Sequence, residues 1–533
     1  MNQKIVKFMN MKWIPVFFVC SLFFVGMYLL PGRILGSDFD GVPGDFGDAR
    51  LNNFFLEHGY QYFTGKTSSY WSAPFMYPDK RTLTYSDNLL GTLPLYIFFR
   101  LLSFDRETSF QLWFLLICAL NFISAFLCFK KLKFNLYLSA IGAYIFAFSL
   151  TFIAQIGHVQ MIAIFCIPWI FYYLIRFFNS WDAKHLGFSF LGLVWLFYCG
   201  MYLGFLTALL VSIVFILNTL LKFNTFKNKL SQKLFLRQIC LCILLPVLIL
   251  IPLIIPYFQR ATSTGYKDYK DVIPLLLTFR NFLMPTGEPW IWKKLIVLNQ
   301  DVAFAWEKQL WCGGLLFGFF FYYLLKRFTG KWHSKGISFI LISSLIVSIL
   351  IFVNWGLGFS FFKYIRHLPG YSSMKPIGRI IIPQLFLMIW VLLYILRAIM
   401  IKYYKHKWIY LVLACFAILD HGITAKSMLR YSKSTSQQRI NEIIKKIGVH
   451  SDSTNHQIKA IAYIPNSTEN PVHIQIEGAL AAQQLMTPSV NGYSSTCQTD
   501  FGPFWENHDS VTLLRWLNAN QLEIVKDGIL IVR

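Results

Sequence analysis

Charged side chains are scarce in this sequence. Of its 533 residues only 14% are Asp, Glu, Lys or Arg, whereas 56% are hydrophobic and 18% are aromatic. Runs of about 20 apolar residues recur along most of the chain, which is typical of a helical protein that crosses a membrane many times. A soluble protein could not keep so many Phe, Leu and Ile side chains away from water. The composition therefore predicts an α-helical polytopic membrane protein.

Motifs of several common enzyme classes are missing as well. The sequence contains no GxxxxGK[ST] phosphate loop, no HExxH zinc motif and no GxSxG nucleophile elbow. ATP-driven transport, metalloprotease and serine-hydrolase activities therefore have no support. The ten cysteines form no CxxC pair, and most lie in apolar runs, so neither a metal site nor a disulfide framework is predicted.

Acidic residues are outnumbered by basic ones, 25 to 49, which gives a net charge of +24. The basic residues cluster in short loops between apolar runs, as the positive-inside rule requires of cytoplasmic loops, and anionic lipid adds to their attraction. We therefore expect membrane lipids as partners and no nucleic acid. The clusters are Lys130, Lys131 and Lys133; Lys222, Lys227, Lys229 and Lys233; Lys326, Arg327, Lys331 and Lys335; and Lys402, Lys405 and Lys407.

The apolar runs predict eleven spans, with the N-terminus in the cytoplasm and the C-terminus outside. The first run is predicted to be a retained span rather than a signal peptide, because Lys4, Lys7 and Lys12 precede it and no small-residue cleavage site follows. The predicted spans are 13–30, 108–129, 136–156, 160–178, 186–199, 201–221, 235–257, 308–325, 336–354, 379–399 and 407–424.

Segment 89–103 is apolar but short, and it contains Pro94 and Arg100. If it lies in the outer interface instead of crossing, every basic cluster is cytoplasmic, which favours an interfacial helix. The sequence leaves open whether this segment crosses the membrane.

The chain divides into two predicted parts. Residues 1–424 form the transmembrane module, with outer loops 31–107, 258–307 and 355–378. Residues 425–533 form a small extracytoplasmic α/β domain, for which we predict a helix over 439–448, strands over 458–464 and 472–478, and a hairpin at Asp527-Gly528.

The stretch GVPGDFGDARLNN places two carboxylates, Asp45 and Asp48, shortly after the first span. Beside a cavity in a membrane, such a carboxylate can take a proton from a hydroxyl group or bind a divalent cation. The alternative is structural, since two acidic residues at this spacing resemble a capping box at the start of a helix over 46–63. Spacing alone favours the structural alternative.

Three more candidates lie in the predicted outer turns. His158, in AQIGHVQ, is either a ligand or proton carrier, or a histidine that is simply solvated at a helix end. Glu307 precedes a span, where the helix dipole alone accounts for a carboxylate. Glu288, in PTGEPW, also fits an ordinary turn.

The predicted outer segment KYIRHLPGYSSMKPIGR is strongly basic, which breaks the positive-inside pattern. It contains Lys375, and Arg379 opens the next span at the depth of lipid headgroups. A guanidinium there can hold a phosphate with two parallel hydrogen bonds. The alternative is non-specific anchoring to phospholipid headgroups.

Five motifs in this order resemble the GT-C superfamily of integral-membrane glycosyltransferases, and most closely its bacterial YfhO-like branch. They occur in the same order as in that family and are spread over most of the length of the chain. The motifs are GDFGDARLNN with FMYPDKRTLTYSDNLLGTLPLY, GHVQMIAIFCIPWIFYYLIRF, EKQLWCGG, LPGYSSMKPIGR and VNGYSSTCQTDFGPFW.

The resemblance implies a GT-C fold of roughly eleven to thirteen helices and a polyprenyl-phosphate-linked sugar as donor. The acceptor, a glycan, lipid or protein, would sit on the outer face of the cytoplasmic membrane. In this family a carboxylate of the first outer loop is base or metal ligand. Asp48 is the best counterpart and Asp45 the second. Arg379 matches the arginine near the donor phosphate, and His158 and Glu307 match further family positions.

By analogy with inverting glycoside chemistry, transfer with Asp48 as base would invert the configuration at the anomeric carbon. No cofactor is implied beyond a possible divalent cation. The turn between Gln155 and Gln160 lacks the carboxylate that many metal-dependent members carry, which puts metal dependence in doubt. The alternatives are a transporter or flippase of lipid-linked saccharides, a polymerase or ligase of such saccharides, and a non-enzymatic assembly or binding protein.

Overall fold

The computed structural model describes residues 13–265, 267–329, 336–402, 406–451, 457–494 and 496–533. This part of the chain is mostly helical and contains four short strands. The α-helices of six residues or more in this part are numbered α1 to α18. The predicted basic residues outside the described part are Lys4, Lys7, Lys12, Lys331, Lys335 and Lys405.

A helix overlaps each of the eleven predicted spans. In the described part, six helices are long and apolar enough to cross a membrane, and four shorter apolar helices accompany them. The count of eleven spans stays a prediction. The helices that overlap the eleven predicted spans are α1 Ile14–Met27, α4 Arg106–Lys131, α5 Leu136–Phe148, α6 Ile167–Ser180, α7 Ala183–Cys199, α8 Met201–Leu221, α10 Lys233–Thr264, α11 Gly314–Phe328, α12 Ile337–Phe352, α13 Ile381–Lys402 and α14 Trp408–His421.

Three further helices lie between these segments. They are α2 Asp48–Phe63, α3 Leu93–Leu101 and α9 Phe223–Leu230. With nine residues, α3 is only about 14 Å long, because an α-helix rises 1.5 Å per residue. That length suits the predicted interfacial helix in segment 89–103, although its place relative to a membrane stays a prediction.

Helix α5 lies at the centre of the bundle. It packs against α1, α4, α13 and α14, and its residues from Tyr137 to Phe148 are all buried. Close packing is possible because Gly142 has no side chain: a Cβ there would lie 2.8 Å from Leu393 and 2.9 Å from Phe129. By contrast, α10 packs mainly on α7 and leaves most of its apolar surface exposed, so we expect lipid to cover that surface.

Residues 425–533 contain the remaining elements. The predicted helix over 439–448 lies within α15, and the predicted strand over 458–464 contains β3. That these residues form a domain of their own stays a prediction. The elements are β2 Arg430–Ser432, α15 Lys433–Ser451, β3 Ala460–Tyr463, α16 Pro471–Gln484, α17 Gly502–Asn507, α18 Ser510–Ala519 and β4 Ile529–Val532.

Two contacts join this C-terminal region to the loop after α1. Strand β1, Gly41–Pro43, pairs antiparallel with β2. Arg50 of α2 forms an ion pair of 2.9 Å with Glu477 of α16, and both side chains are almost fully buried. Because a buried charge without its partner is costly, this pair holds α2 firmly against the C-terminal region.

The predicted strand over 472–478 is wrong, because these residues belong to helix α16. The side chain of Asn470 accepts the N–H of Val472 at 3.0 Å, and Pro471 occupies the first turn. Both are signals of a helix start. All residues of α16 from Ile474 to Gln483 are buried, so the alternation in HIQIEG does not mark one buried face.

The predicted hairpin at Asp527-Gly528 is wrong as well. Strand β4 pairs parallel with β3, with Ala460 opposite Ile529. The residues just before Asp527 form turns, so there is no preceding strand for β4 to fold back on. The parallel pairing joins segments far apart in the sequence, which a local turn signal cannot reveal.

Candidate functional site

Four side chains that the sequence analysis selected separately meet in one place. Asp48 begins α2, His158 lies in the turn before α6, Glu307 precedes α11, and Arg379 lies in the helical turn that leads into α13. Their ion pairs form a continuous chain. We call these residues the four-residue cluster.

His158 is the central member of the cluster. Its Nδ1 lies 2.9 Å from Oδ2 of Asp48, and its Nε2 lies 3.1 Å from Oε1 of Glu307. Burial and the nearby Arg379 lower the pKa of His158, but the two carboxylates outweigh them and raise it above its ordinary value. The geometry therefore favours an imidazolium whose two N–H groups each donate a hydrogen bond to one of the carboxylates.

Glu307 is also held by Arg379 through two hydrogen bonds. Nη2 of Arg379 lies 2.6 Å from Oε1, and Nε lies 3.1 Å from Oε2. Burial raises the pKa of Glu307, but Arg379 and His158 outweigh it and hold the pKa far below the usual range. The ring of Tyr202 covers the guanidinium, 5.2 Å from its carbon. At neutral pH Glu307 is thus an anion held between two cations.

Asp45 and Asp48 have different roles. Oδ1 of Asp45 accepts the backbone N–H groups of Gly47 and Ala49, both at 3.1 Å. Asp45 therefore has a structural role, but it is not that of the predicted capping box, because the helix begins at Asp48 and not at 46, and its N-cap residue is Gly47. Burial and the neighbouring Asp48 raise the pKa of Asp45. The carboxylate of Asp48 makes no capping contact with α2 and is available to the cluster.

A close backbone approach brings Asp48 to the turn that carries His158. Gly44 has a φ of 95°, and a Cβ there would lie 2.3 Å from that of Ala49 and 3.1 Å from the carbonyl oxygen of Ile156. Nδ2 of Asn52 also donates to Oε1 of Gln160 at 3.0 Å. A glycine at 44 therefore suits both the left-handed backbone and the narrow gap.

The exposed fraction of the side chain decreases from Asp48 through His158 and Glu307 to Arg379. The side chains of Asp48 and His158 are 27% and 20% exposed, whereas those of Glu307 and Arg379 are 10% and 8% exposed. An approaching molecule meets Asp48 first. Burial raises the pKa of Asp48, but His158, Tyr493 and Arg379 together outweigh burial and lower it below its ordinary value, so this accessible group is a carboxylate at neutral pH.

Sequence reasoning missed Tyr493. Its side chain helps to lower the pKa of Asp48, and its ring stacks on that of Trp505 with the centroids 6.1 Å apart. Burial and the nearby charge of Asp48 raise the pKa of Tyr493. The motif VNGYSSTCQTDFGPFW is one of the five that carry the family resemblance, but nothing in it singles out the tyrosine.

Asp87 was also missed. It is buried and accepts the backbone N–H of Tyr202 at 3.3 Å, at the start of α8, and burial raises its pKa. Since Tyr202 covers Arg379, this contact fixes one wall of the cluster. Asp87 lies in the motif stretch FMYPDKRTLTYSDNLLGTLPLY, but nothing there singles out this residue.

Two predicted substrate-binding residues lie outside the cluster. Oε2 of Glu288 accepts the hydroxyl of Thr424 at 3.3 Å, next to the end of α14. Nζ of Lys375 lies 3.7 Å from Oδ2 of Asp271. The ion pairs that link the cluster include neither residue. Their role in substrate binding stays a prediction.

The donor set does not fit a divalent cation. Within the described residues, no group of three or more His, Cys, Asp or Glu side chains could hold a metal ion. Both ring nitrogens of His158 contact carboxylates, and Asp45 already accepts two backbone N–H groups. We assign no chemical step to a metal.

Comparisons with known proteins give no family assignment. No family model matches this chain, and no curated protein shows significant sequence similarity to it. A proposed function therefore depends on the cluster and on the five motifs given above.

Proposed function

We propose that this protein is an inverting membrane glycosyltransferase of the GT-C type. It would move a sugar from a polyprenyl-phosphate-linked donor to a hydroxyl group of a glycan, lipid or protein. The observation that carries the proposal is the position of Asp48, an accessible carboxylate kept charged by the imidazolium behind it. The five motifs that resemble the superfamily supply the reaction class.

Asp48 would act as the general base. The acceptor oxygen bonds to the anomeric carbon, the bond from that carbon to the phosphate oxygen breaks, and the hydroxyl proton passes to Asp48. A hydroxyl group becomes much more acidic as it bonds to an oxocarbenium-like carbon. A carboxylate with a lowered pKa is therefore a sufficient base, provided that it is charged and in place.

The role of Arg379 follows from its partners. Two of its nitrogens already bind Glu307, and its side chain is only 8% exposed. We therefore assign Arg379 first to fixing Glu307, which in turn fixes His158. Nη1 is left for a donor phosphate, whose departing negative charge it would stabilise.

Membrane orientation is part of the proposal. Helix α5 begins beside Lys130, Lys131 and Lys133 and continues through a short helical segment that ends at Ile153, close to His158. The lysines and the cluster therefore lie at opposite ends of the same segment. With the lysines in the cytoplasm, the cluster and the C-terminal region face the outside of the cytoplasmic membrane.

One observation supports a second candidate, a transporter or flippase of lipid-linked saccharides. The charges of the cluster are paired with one another, as in a gate that opens when ligand or protons break the pairs. A polymerase or ligase of the same saccharides would share the donor and the base, and would differ in the length of the transferred chain.

The test is a transfer assay with the full chain in proteoliposomes. Radiolabelled polyprenyl-phosphate sugars are the donors, and a membrane extract supplies the acceptors. Wild type is compared with Asp48→Asn, and with Asp38→Asn as a matched control, because Asp38 is exposed in the same loop. We expect Asp48→Asn to lower kcat by about 100-fold or more while Asp38→Asn keeps it.

Three other outcomes are informative. Equal transfer by Asp48→Asn and wild type would remove Asp48 from the mechanism. Label that crosses the bilayer without entering an acceptor would identify the transporter instead. Transfer of whole oligosaccharide chains would identify the polymerase or ligase.

A further inference from the structure

Two of the cysteines lie at neighbouring helix ends, outside the four-residue cluster. Cys166 directly precedes α6, and Cys199 is the last residue of α7. Both are free thiols, of which Cys166 is partly buried and Cys199 is buried. The proposed transfer reaction uses neither of them.

Contacts on both sides of the two cysteines bring their backbones together. Helices α6 and α7 follow each other after a short turn and pack as an antiparallel helical hairpin. On the side of that turn, a Cβ at Gly192 would lie 3.0 Å from the side chain of Ile170. On the other side, a Cβ at Gly200 would lie 3.0 Å from the carbonyl oxygen of Gln160. Each cysteine lies between these two contact points in its own segment.

The thiols themselves are neighbours as well. The side chains of Cys166 and Cys199 interact directly. The sulfur of Cys199 also occupies space that a side chain at position 91 would need, since a Cβ at Gly91 would lie 2.6 Å from it. The backbone contacts and this interaction therefore agree that the two sulfurs are close.

Both segments are anchored beside the cysteines. Oδ1 of Asn121, in α4, accepts the backbone N–H of Ile164 at 3.2 Å, two residues before Cys166. In the last turn of α7, the carbonyl oxygen of Tyr198 accepts the backbone N–H of Gly91 at 2.7 Å. Because both anchors lie next to the thiols, the pair stays together in the folded protein.

We propose that Cys166 and Cys199 form a disulfide bond. Disulfides form in oxidising compartments, and the membrane orientation proposed above puts this end of the helical hairpin, which His158 shares, outside the cytoplasmic membrane. The inference depends on that orientation and not on the transferase activity. The bond would join the segment that carries His158 to the turn before Tyr202, and so two sides of the four-residue cluster.

The reaction is a thiol–disulfide exchange whose oxidant is an oxidised dithiol protein of that compartment. The more accessible Cys166 attacks first and forms a mixed disulfide with the oxidant. Cys199 then attacks the sulfur of Cys166, and the oxidant leaves as a dithiol. Two electrons and two protons pass to the oxidant, while one S–S bond forms and another breaks.

The test is peptide mass spectrometry of the full chain taken from cell membranes. Thiols are trapped with acid and alkylated with N-ethylmaleimide under denaturing conditions, and a second sample is first treated with diamide. The variants are Cys166→Ser and Cys199→Ser. The internal control is the pair Cys118 and Cys128, which are also buried but lie about 15 Å apart along the axis of α4, too far for a disulfide.

We expect a peptide linked through Cys166 and Cys199 in the untreated sample, with Cys118 and Cys128 alkylated. Alkylation of Cys199 should be about tenfold lower in wild type than in Cys166→Ser, because the variant leaves Cys199 without a partner. Reduction should lower the Tm of wild type and leave that of Cys166→Ser unchanged, because a disulfide restricts the unfolded chain.

Two results would overturn the proposal. Alkylation of both cysteines in the untreated sample would show that the bond does not form in the cell, even where diamide then produced it. A link from either cysteine to a different one would show that these two are not partners. A linked pair in a protein that transfers no sugar would instead keep this inference and remove the proposed function.

Discussion

The carboxylates of Asp48 and Glu307 contact opposite nitrogens of one imidazole, that of His158, at 2.9 and 3.1 Å. A neutral imidazole can donate only one proton, so both contacts are favourable only when the ring is charged. Protonation of His158 therefore controls whether the two carboxylates are held together.

This arrangement predicts a loss of stability at alkaline pH. The folded-state pKa of His158 is raised, so its contribution is fully present below the ordinary histidine value of about 6.5 and is lost as the pH rises through the folded-state pKa. The pKa values of Asp48 and Glu307 are lowered, so their contributions are lost only in acid, as the pH falls through their folded-state values.

Thermal unfolding in detergent between pH 6 and 9 checks this prediction. The Tm of wild type should fall as the pH rises. In His158→Gln, the part of this decrease that comes from deprotonation of His158 should be absent. His185→Gln is the control, because the pKa of His185 is lowered and not raised. An unchanged slope in His158→Gln would show that the ring is neutral in the folded protein.

The parts of the site that could be predicted are those with a local or family signal. Apolar runs located the helices, and motif resemblance selected Asp48, His158, Glu307 and Arg379 one at a time. The sequence could not show that these four residues touch, because their contacts depend on how distant segments pack. Gly44 and Gly378 make those contacts possible, yet in the sequence they look like ordinary turn residues.

The C-terminal region was harder to predict. Helix α16 is buried on all sides from Ile474 to Gln483, so its apolar residues do not lie on a single face. Without that helical pattern, the alternation in HIQIEG predicts a strand. The pairing of β3 with β4 and the contact of Tyr493 with Asp48 are long-range. No turn or spacing rule reports on such contacts.

The pair of Glu307 and Arg379 predicts strong coupling between the two residues. Glu307→Gln leaves a buried guanidinium without its partner, and Arg379→Gln leaves a buried carboxylate. Each single variant should lose about 3–5 kcal/mol of unfolding free energy, whereas the double variant should lose much less than the sum.

A double-mutant cycle by denaturant unfolding in micelles measures this coupling. The control is the pair of Lys184 and Asp182, whose side chains are 65% and 39% exposed and whose coupling should be below about 1 kcal/mol. Additive losses at Glu307 and Arg379 would contradict the buried pairing.

Tyr493→Phe should change the reaction while leaving the fold intact, a prediction that depends on the proposed function. Its hydroxyl stabilises the charged form of Asp48, so the variant should raise the pKa of Asp48 and move the acid limb of kcat/KM to higher pH. We expect kcat/KM measured on that acid limb to fall several-fold, because a smaller fraction of Asp48 is then charged. Tyr463→Phe, in the same region, should leave the pH profile as it is.

Gly378→Ala should break the cluster by steric conflict alone, without removing any charge. A Cβ at Gly378 would lie 2.4 Å from the backbone carbonyl oxygen of Glu307, so that backbone must move and carry Glu307 away from His158 and Arg379. Gly318→Ala is the matched control, because no atom lies within 4 Å of the Cβ it would add.

We expect Gly378→Ala to reduce transfer at least tenfold and to flatten the dependence of Tm on pH, since His158 loses one of its two carboxylates. Gly318→Ala should keep both properties. If Gly378→Ala lost activity but its Tm still fell with rising pH as in wild type, the close approach at Gly378 would serve substrate binding and not the ion pairs.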